Sequence, residues 1–361
     1  MKISCDRYTL ANAMGMAIRA VPKNSVMQIQ KCVLVEADSS IKITANDNEI
    51  TIRTEIPGMV LEKGAVAIPA TLLHEISRKM PDGDVYLESD ENDSITISCG
   101  KSKFHIAGMD GSDFVGMPAE SAGSTFTVGA LAFADAINRI IFCTAKDSTT
   151  NPMMSGINFQ AKDGVLALTA LDGHRIARRT IKIDSTDDFE TTIPAKSLSE
   201  VTRVFKDGNI AVRISKNTAD FKSDGAEMVS RTLFGKYFDI QKFIDGMQPE
   251  HIVVNRAELR DVINRATIVI KEEGKKPVVF GIADNNLTVS ANTTVGTSSE
   301  NVDIDQSCPD MRIGFNPTFL LEALSAVDED NVRINLTSPK APAIIGTPDD
   351  GYIYVVLPVA I

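Results

Sequence analysis

The sequence has no tryptophan, five scattered cysteines, and no apolar run of the ~20 residues that a membrane-spanning helix requires. The number of cysteines is odd, and no two of them form a Cys-x-x-Cys pair. Both observations argue against a disulfide framework and against a zinc site. We expect all five thiols to be reduced and buried. The first ten residues, "MKISCDRYTL", lack the apolar stretch of a signal peptide, so the expected location is the cytoplasm.

Positive charge is also scarce, since 37 Lys and Arg residues stand against 48 Asp and Glu residues and the net charge is −11. Binding to phosphates requires Lys and Arg, so this total argues against a nucleic-acid partner unless the charges are segregated on the surface. Glycine-rich phosphate loops and dinucleotide fingerprints are absent as well. Their absence argues against the common nucleotide-binding sites, and we expect no cofactor and no metal.

The chain does contain an internal repeat. The segment "IKITAND" (residues 41–47) returns as "LALTALD" (166–172) and as "LTVSANT" (287–293), each time about a third of the chain later. A second segment, "IPATLLHEISRKMPDG" (68–83), returns as "IPAKSLSEVTRVFKDG" (193–208) and more weakly as "FNPTFLLEALSAVDED" (315–330). Because different elements recur in the same order and at the same spacing, the sequence predicts three copies of one structural unit.

Each predicted unit holds two helices. Apolar residues of the second segment share one helical face in the first two copies, at Leu72, Leu73, Ile76 and Met80 and at Leu198, Val201 and Phe205. The predicted helices cover residues 8–23, 71–80, 129–146, 196–206, 255–271 and 318–327.

Alternating apolar runs between these helices predict antiparallel strands, with hairpin turns at 162–164 and 284–286. The predicted fold class is therefore α+β. Turn-rich segments at 117–125 and 245–252 place the domain boundaries, which gives domains 1–120, 121–247 and 248–361.

Basic residues recur on the solvated sides of the repeated helices. Arg78 and Arg203 occupy matching positions, with Lys196 on the face of Arg203, and Arg139 matches Arg265. The predicted helices together carry a net positive charge, so the rest of the chain is more acidic than the total. This segregation fits a basic surface that meets phosphates while the other surfaces stay acidic.

Other functions are also compatible with parts of the sequence. Asp172 and His174 in "ALDGHRIA" could act as a catalytic acid and base, but a turn after a strand is the commoner interpretation and no nucleophile lies nearby. "LESDENDS" (87–94) lacks the ligand ladder of a calcium loop, so an acidic hairpin tip is predicted. A protein-binding scaffold that never meets DNA is the more serious alternative.

The ends of the repeat array have complementary charges. "GKSKFHI" (100–106) is basic with two apolar residues, while "SENVDIDQS" (299–307) is acidic. Joining these edges head to tail in a two-fold dimer would close a ring of six units.

The three repeats, the basic helices and "ALDGHRIA" (170–177) together resemble the bacterial sliding clamps, the beta subunits of DNA polymerase III, over the whole chain from "MKISCDRYTL" to "YVVLPVAI". The resemblance implies half of a six-unit DNA-clamp ring, formed by a head-to-tail homodimer around duplex DNA. It implies a processivity factor without catalytic activity, which tethers the replicative polymerase. Binding without sequence readout needs only weak phosphate contacts.

The same resemblance implies a pocket for short linear motifs of polymerases, the clamp loader and repair proteins. Its residues would be Met154, Leu171, Gly173, His174, Arg175, Ile176, Phe238, Asn316, Phe319, Leu357, Pro358, Val359 and Ile361. Apolar walls would accept Leu or Phe anchors. The chain departs from the family pattern at Leu171, usually Thr, at Phe238, usually Pro, and at Ala360, usually a basic residue, and these changes affect the peptide preference.

Two further sets of residues follow from the resemblance. The residues expected to face DNA are Lys23, Arg78, Arg139, Lys196 and Arg203, whereas the third unit has Ser325 where the matching Arg would stand. The residues expected at the dimer interface are Phe104, Ile106, Ile268 and Val269.

Overall fold

The structure is a computed structural model that describes residues 1–146, 151–185, 187–245, 249–271, 276–347 and 351–361. The chain divides into two compact units. The first comprises Met1–Ala134 with Lys196–Thr232, and the second comprises Asp135–Ala195 with Leu233–Ile361. Each unit is thus built from two separate stretches of chain.

The helices and strands of residues 1–138 follow one another in the order β1 (Lys2–Asp6), α1 (Arg7–Ala17), β2 (Cys32–Ala37), β3 (Ile41–Asn46), β4 (Ile50–Ile56), β5 (Met59–Glu62), β6 (Gly64–Pro69), α2 (Ala70–Lys79), β7 (Asp84–Ser89), β8 (Ser94–Cys99), β9 (Ser102–Ala107), β10 (Met109–Asp110), β11 (Ser124–Gly129) and α3 (Ala130–Asn138).

The elements of the middle of the chain are β12 (Gly156–Lys162), β13 (Val165–Leu171), β14 (Arg175–Lys182), β15 (Phe189–Pro194), α4 (Ala195–Val204), β16 (Asn209–Ile214), β17 (Thr218–Ser223), β18 (Ala226–Arg231) and α5 (Gln241–Asp245). The last third contains β19 (His251–Asn255), α6 (Arg256–Lys271), β20 (Val278–Ala283), β21 (Asn286–Asn292), β22 (Thr297–Gln306), β23 (Met311–Phe315), α7 (Pro317–Ser325), β24 (Asn331–Asn335), β25 (Ala343–Ile345) and β26 (Tyr352–Val356).

The first unit contains a five-stranded sheet, in the order β5-β1-β7-β8-β9, and a nine-stranded sheet, in the order β10-β6-β2-β3-β4-β18-β17-β16-β11. The nine-stranded sheet joins strands from two sequence repeats, because β4 pairs with β18 in a register that sets Ile52 opposite Met228. The second unit contains a twelve-stranded sheet, in the order β15-β12-β13-β14-β26-β25-β24-β19-β22-β21-β20-β23. Here β14 pairs with β26, with Ala177 opposite Tyr354.

The predicted α+β class is confirmed. The repeated strand segments form β3, β13 and β21, and the paired strands are antiparallel throughout the described sheets. The hairpin turns lie where the sequence predicts them. Asp284 and Asn285 adopt φ values of +53° and +57°, the left-handed geometry of a tight hairpin turn. Asp163 and Gly164 do the same between β12 and β13.

The helices also form as predicted, with two differences in length. The first helix ends at Ala17 and continues as a 3₁₀ turn over Ile18–Ala20, because Pro22 disfavours helical geometry in the residue before it. The third helix ends at Asn138 and not at residue 146. Of the predicted apolar face of α2, Leu73 and Ile76 are buried, but Leu72 is 42% exposed.

All five cysteines are buried, as the sequence predicts. Burial raises the pKa of Cys5 to about 12, so this thiol stays protonated at neutral pH. Within the described ranges, no helix has the length and apolar character needed to cross a membrane.

Candidate functional site

An apolar cavity of about 210 Å³ lies in the second unit, where β13 ends. Three neighbouring strands supply its floor, because Leu171 stands opposite Ile176 and Ile176 stands opposite Val355. Opposed residues of antiparallel strands project from the same face, so these side chains lie together. The complete lining is Met154, Leu171, Gly173, His174, Arg175, Ile176, Phe238, Phe243, Val355 and Leu357.

The turn from β13 to β14 shapes one rim of this cavity. Asp172 Oδ1 accepts hydrogen bonds from the backbone N–H groups of His174 (3.0 Å) and Arg175 (3.1 Å). This is an Asx turn. Gly173, between Asp172 and His174, has a φ of +88°, a backbone conformation that favours glycine. Asp172 is therefore occupied in holding the turn, which confirms the turn interpretation over a catalytic Asp-His pair.

Arg175 is the arginine of the lining, and each of its three guanidinium nitrogens donates a hydrogen bond. Its Nε donates to Asp172 Oδ2 (2.9 Å), Nη2 donates to the Phe142 carbonyl oxygen (2.7 Å), and Nη1 donates to the Glu322 carboxylate. Burial lowers the pKa of Arg175, but the hydrogen bond to Glu322 and the interactions with Cys143 and Tyr354 together more than offset this, so the pKa stands above its ordinary value. The cation also lies 4.2 Å from the ring centre of Phe319.

Eight of the predicted pocket residues line the cavity, and the other five surround it without lining it. The ring of Phe319 stacks on His174 at 6.3 Å, and Asn316 caps helix α7 by accepting a hydrogen bond from the Thr318 N–H (3.0 Å). The chain terminus runs nearby, since the Leu357 N–H donates to the His174 carbonyl (2.9 Å) and the Val359 N–H donates to the Gly314 carbonyl (2.8 Å). Pro358 is half-buried and Ile361 is exposed.

Sequence reasoning missed two lining residues, Phe243 and Val355. Val355 lies in the buried strand β26, and its pairing with β14 across about 180 residues has no local signal. Phe243 lies on the short helix α5, which is too brief for a helical period to be recognised.

A cleft of about 960 Å³ lies in the first unit and holds several basic side chains. Those that line it are Arg19, Lys23, Arg78, Arg203 and Lys206, together with His74 and the acids Glu200, Asp207 and Asp224. Burial, and secondarily the charge of Arg78, lower the pKa of His74, so this imidazole is neutral at pH 7. Among the described side chains, neither Lys23 nor Arg78 takes part in an ion pair.

The other residues predicted to face DNA are held by acids of the same unit. Arg139 donates to Asp135 (2.8 Å), to the Ala326 carbonyl (2.6 Å) and to Asp328, and its side chain is only 17% exposed. Lys196 bridges Asp47 (3.0 Å) and Glu49 (2.9 Å). Arg203 is exposed and pairs with Glu200 at 2.8 Å, and Glu200 also pairs with Arg19.

The predicted interface residues lie beside uncovered strand edges. Strand β9 forms one end of the five-stranded sheet, and it carries Phe104, which is 42% exposed, and the half-buried Ile106. In the second unit, β19 pairs with residues 304–306 of β22, so among the described strands the first part of β22 has β21 as its single neighbour. Ile268 on α6 is 66% exposed and Val269 is half-buried.

The ends of these two edges carry opposite charges. Lys101 and Lys103 flank the start of β9, while on β22 Asp303 is exposed at the end of the uncovered part and Asp305 is exposed in the part paired with β19. Glu300, also on β22, pairs with Arg265 at 2.6 Å, so the positive charge of Arg265 already balances the charge of this carboxylate. No group of three potential metal-ligating side chains occurs in the described part of the chain.

Comparison with known proteins places this geometry in a family. Three family models match consecutive parts of the chain: the N-terminal, central and C-terminal domains of the DNA polymerase III beta subunit match residues 1–118, 127–239 and 246–360. A structure from Eubacterium rectale assigned as a DNA polymerase III beta subunit is 34% identical and superposes with a TM-score of 0.96 over 99% of both chains. The chain belongs to the DNA polymerase III beta subunit family.

More distant members of the family agree in fold and length. The beta sliding clamp of Bacillus subtilis is 26% identical over 377 residues, with 99% of each chain covered. A crystal structure of the sliding clamp from Bacillus subtilis superposes with a TM-score of 0.95 at 24% identity and covers 100% of this chain and 99% of that one. The clamp fold implied by the resemblance is confirmed.

Beta subunits of DNA polymerase III are sliding clamps, so this chain is a DNA processivity factor with DNA and a polymerase as partners. It is a non-catalytic subunit, and the prediction that it is not an enzyme is confirmed. Its role is in DNA replication.

Proposed function

We propose that two copies of this chain close head to tail into a ring around duplex DNA and hold the replicative polymerase to its template. The ring would contain six units, with domains 1–120, 121–247 and 248–361 in each copy, and would act in the cytoplasm. Binding would be topological and independent of base sequence, because contacts to phosphates carry no sequence information.

The observation that carries the ring is the pair of uncovered strand edges. A strand with one neighbour leaves a row of N–H and C=O groups without ladder partners, so an edge of this kind readily adds a strand from another chain. Strand β9 and the first part of β22 are two such edges on one chain, with Phe104 and Ile268 exposed beside them. Different surfaces on one chain favour a heterologous contact, which closes a ring only if the rotation fits.

Charge supplies the first test of this interface. Lys101→Gln with Lys103→Gln should weaken the dimer in low-salt sedimentation, because the acidic edge of β22 loses its attraction. Lys162→Gln with Lys182→Gln removes the same charge from exposed positions on β12 and β14, which form neither edge, and should leave the dimer unchanged. Equal weakening in both variants, or none in the first, counts against the proposed pairing.

For the DNA-facing surface, we propose that Lys23, Arg78 and Arg203 make the main phosphate contacts. They line one cleft, and Lys23 and Arg78 have no ion-pair partner in the described ranges. Arg139 and Lys196, which the sequence also predicts to face DNA, would contribute less, because two carboxylates hold each of them.

The test of the ring is retention on DNA. After loading by a cognate clamp loader with ATP, the protein should stay on circular duplex DNA and leave linear duplex with free ends. Equal loss from both DNA forms, with dimers still intact in sedimentation, would favour a protein-binding scaffold that does not encircle DNA.

We further propose that the apolar cavity receives short linear motifs from the polymerase, the clamp loader and repair proteins. Its lining is almost entirely apolar, and the Gly173 turn leaves its rim open for an extended peptide. Leu357→Arg at the rim should abolish processive synthesis on a primed circle, whereas Val165→Arg should not. The two residues are matched in exposure, at 40% and 39%, and only Leu357 lines the cavity.

A further inference from the structure

Two phenylalanine rings form one wall of the apolar cavity. Phe238 and Phe243 both line it, their ring centroids are 6.2 Å apart, and their planes are inclined at 37°. Phe238 is 54% exposed, so its ring stands at the mouth, while Phe243 packs partly buried against the core cluster of Leu171 and Ile176. The wall therefore offers an aromatic face to a ligand that enters.

The size of the cavity suits an aromatic anchor. An apolar protein cavity of about 150 Å³ can hold a benzene molecule, and this cavity has a volume of about 210 Å³. A phenyl ring with its methylene group can enter without displacing the lining. A third ring placed here can pack edge-to-face or offset against the two rings of the wall, an attraction that an aliphatic side chain does not gain.

The cavity offers few partners to a polar anchor. The Arg175 guanidinium is committed to Asp172, Glu322 and the Phe142 carbonyl. The backbone N–H and carbonyl of His174 are committed to Asp172 and Leu357, and its imidazole ring stacks on Phe319. A hydroxyl carried to the bottom of the cavity would meet Leu171, Ile176 and Val355, and burying it without a partner is unfavourable.

We propose that this cavity selects partner peptides anchored by phenylalanine over those anchored by leucine or tyrosine, and that Phe238 is the residue that determines this preference. The proposal rests on the proposed peptide-binding function of the same cavity. Phe238 contributes through its exposed ring, which can close over an aromatic anchor. Phe243 orients that ring from behind.

The experiment uses the dimeric full-length protein and a random hexapeptide library. Binders are selected on the wild-type protein and retained if Leu357→Arg abolishes their binding. In each retained peptide the anchor is identified by an alanine scan and then replaced in turn by phenylalanine, leucine, cyclohexylalanine and tyrosine, and the Kd is measured by calorimetry. Cyclohexylalanine matches phenylalanine in size and apolar character but lacks the aromatic ring.

On the wild-type protein, the phenylalanine anchor should bind about threefold to tenfold more tightly than leucine, which corresponds to the attraction of an aromatic pair. Phe238→Leu should remove this advantage and leave the Kd of the leucine peptide within about twofold. A double-mutant cycle between Phe238 and the anchor isolates the ring-ring coupling. Phe243→Leu should reduce the coupling in the same direction.

Phe234→Leu is the matched control, because Phe234 is 70% exposed, lies four residues earlier and does not line the cavity. It should leave every Kd unchanged. Equal binding of phenylalanine and leucine anchors, equal binding of phenylalanine and cyclohexylalanine, or a preference that survives Phe238→Leu overturns the proposal while the cavity remains a peptide site. If no peptide is selected whose binding is abolished by Leu357→Arg, the peptide-binding function itself is overturned.

Discussion

Some arginine side chains of this protein hold parts of the fold together, and others are exposed and available to a ligand. Their hydrogen bonds show which role each arginine has. Arg175 and Arg139 each donate to three acceptors that come from separate parts of the chain, and both side chains are mostly buried. Arg78 is exposed and lines a basic cleft. A buried arginine bound to carboxylates organises its neighbours, whereas an exposed arginine keeps its donors available for a phosphate.

Removal of the Arg175 side chain should destabilise the protein. Arg175→Ala leaves the Glu322 carboxylate and the Phe142 carbonyl without their donors, and we expect the free energy of unfolding to fall by about 2–4 kcal/mol. Urea denaturation measures the loss. The control is Arg213→Ala, which breaks a more exposed pair with Glu120 and should cost less than about 1 kcal/mol. Similar losses in both variants would show that the buried Arg175 contacts stabilise the protein no more than the exposed Arg213–Glu120 pair does.

Arg78 and Arg139 should respond oppositely in DNA binding and in stability. Arg78→Gln should lower the slope of log K against log salt on short duplex DNA by about one and leave urea denaturation unchanged. Arg139→Gln should leave that slope unchanged and lower the free energy of unfolding by about 1–3 kcal/mol, because Asp135 and Asp328 lose their partner. A reduced salt slope for Arg139→Gln would show that the guanidinium of Arg139 contacts phosphates in the wild-type protein.

Helices of the repeated units present one buried face and one exposed face, as an amphipathic period requires. In α4, Leu198 and Val201 are fully buried, while Arg203, which lies between the buried Val201 and Val204, is exposed. Helix α3 has the same division, with Phe133 and Ile137 buried and Leu131 74% exposed. Burial, and not residue type, decides what each leucine contributes to stability.

Two leucines on the two helices of one repeat, α4 and α3, allow a direct comparison. Leu198→Ala on α4 should lower the free energy of unfolding by about 2–5 kcal/mol, the usual cost of a cavity left by a buried leucine. Leu131→Ala on α3 removes the same atoms from an exposed site and should change it by less than about 0.5 kcal/mol. Urea denaturation followed by circular dichroism measures both, and a large effect of Leu131→Ala would indicate that this leucine is covered in the assembled protein.

The whole molecule combines acidic character with a local concentration of basic residues. The net charge of −11 coexists with a cleft that five Lys and Arg side chains line. A molecule of this kind avoids tight nonspecific attachment to nucleic acid, while a ring would keep weak phosphate contacts together by enclosure. Assembly of the proposed ring is therefore the property on which the DNA contacts depend.

Mixing two interface variants tests head-to-tail assembly. Phe104→Glu and Ile268→Glu should each give monomers, because every interface of the ring would contain the changed residue. In a mixed dimer of the two chains, one interface carries both substitutions and the other is wild type, so an open dimer should form on mixing. Analytical ultracentrifugation distinguishes the species. Dimers in either single variant, or monomers in the mixture, would contradict a head-to-tail contact between these edges.

The strands, the hairpin turns and the α+β class were predictable from the sequence because each depends on residues close together in the chain, and the repeats were predictable because similar segments recur in the same order. The period of Leu198 and Val201, the Asp-Asn turn at 284–285 and the Asp172 turn are local signals of this kind. Most of the pocket residues were predicted from the family resemblance of two segments, "ALDGHRIA" and the terminal "LPVAI". These two segments lie near each other in the fold.

The remaining features depend on contacts between distant residues, which no local pattern encodes. Sequence periodicity puts Arg139 on a solvated helix face, but the acceptors at Ala326 and Asp328, which arrive from the other end of the chain, bind its donors. Val355 and Phe243 join the pocket because β26 pairs with β14 and because α5 packs beside them. Local periodicity decides which face a residue occupies, and long-range packing decides what it meets there.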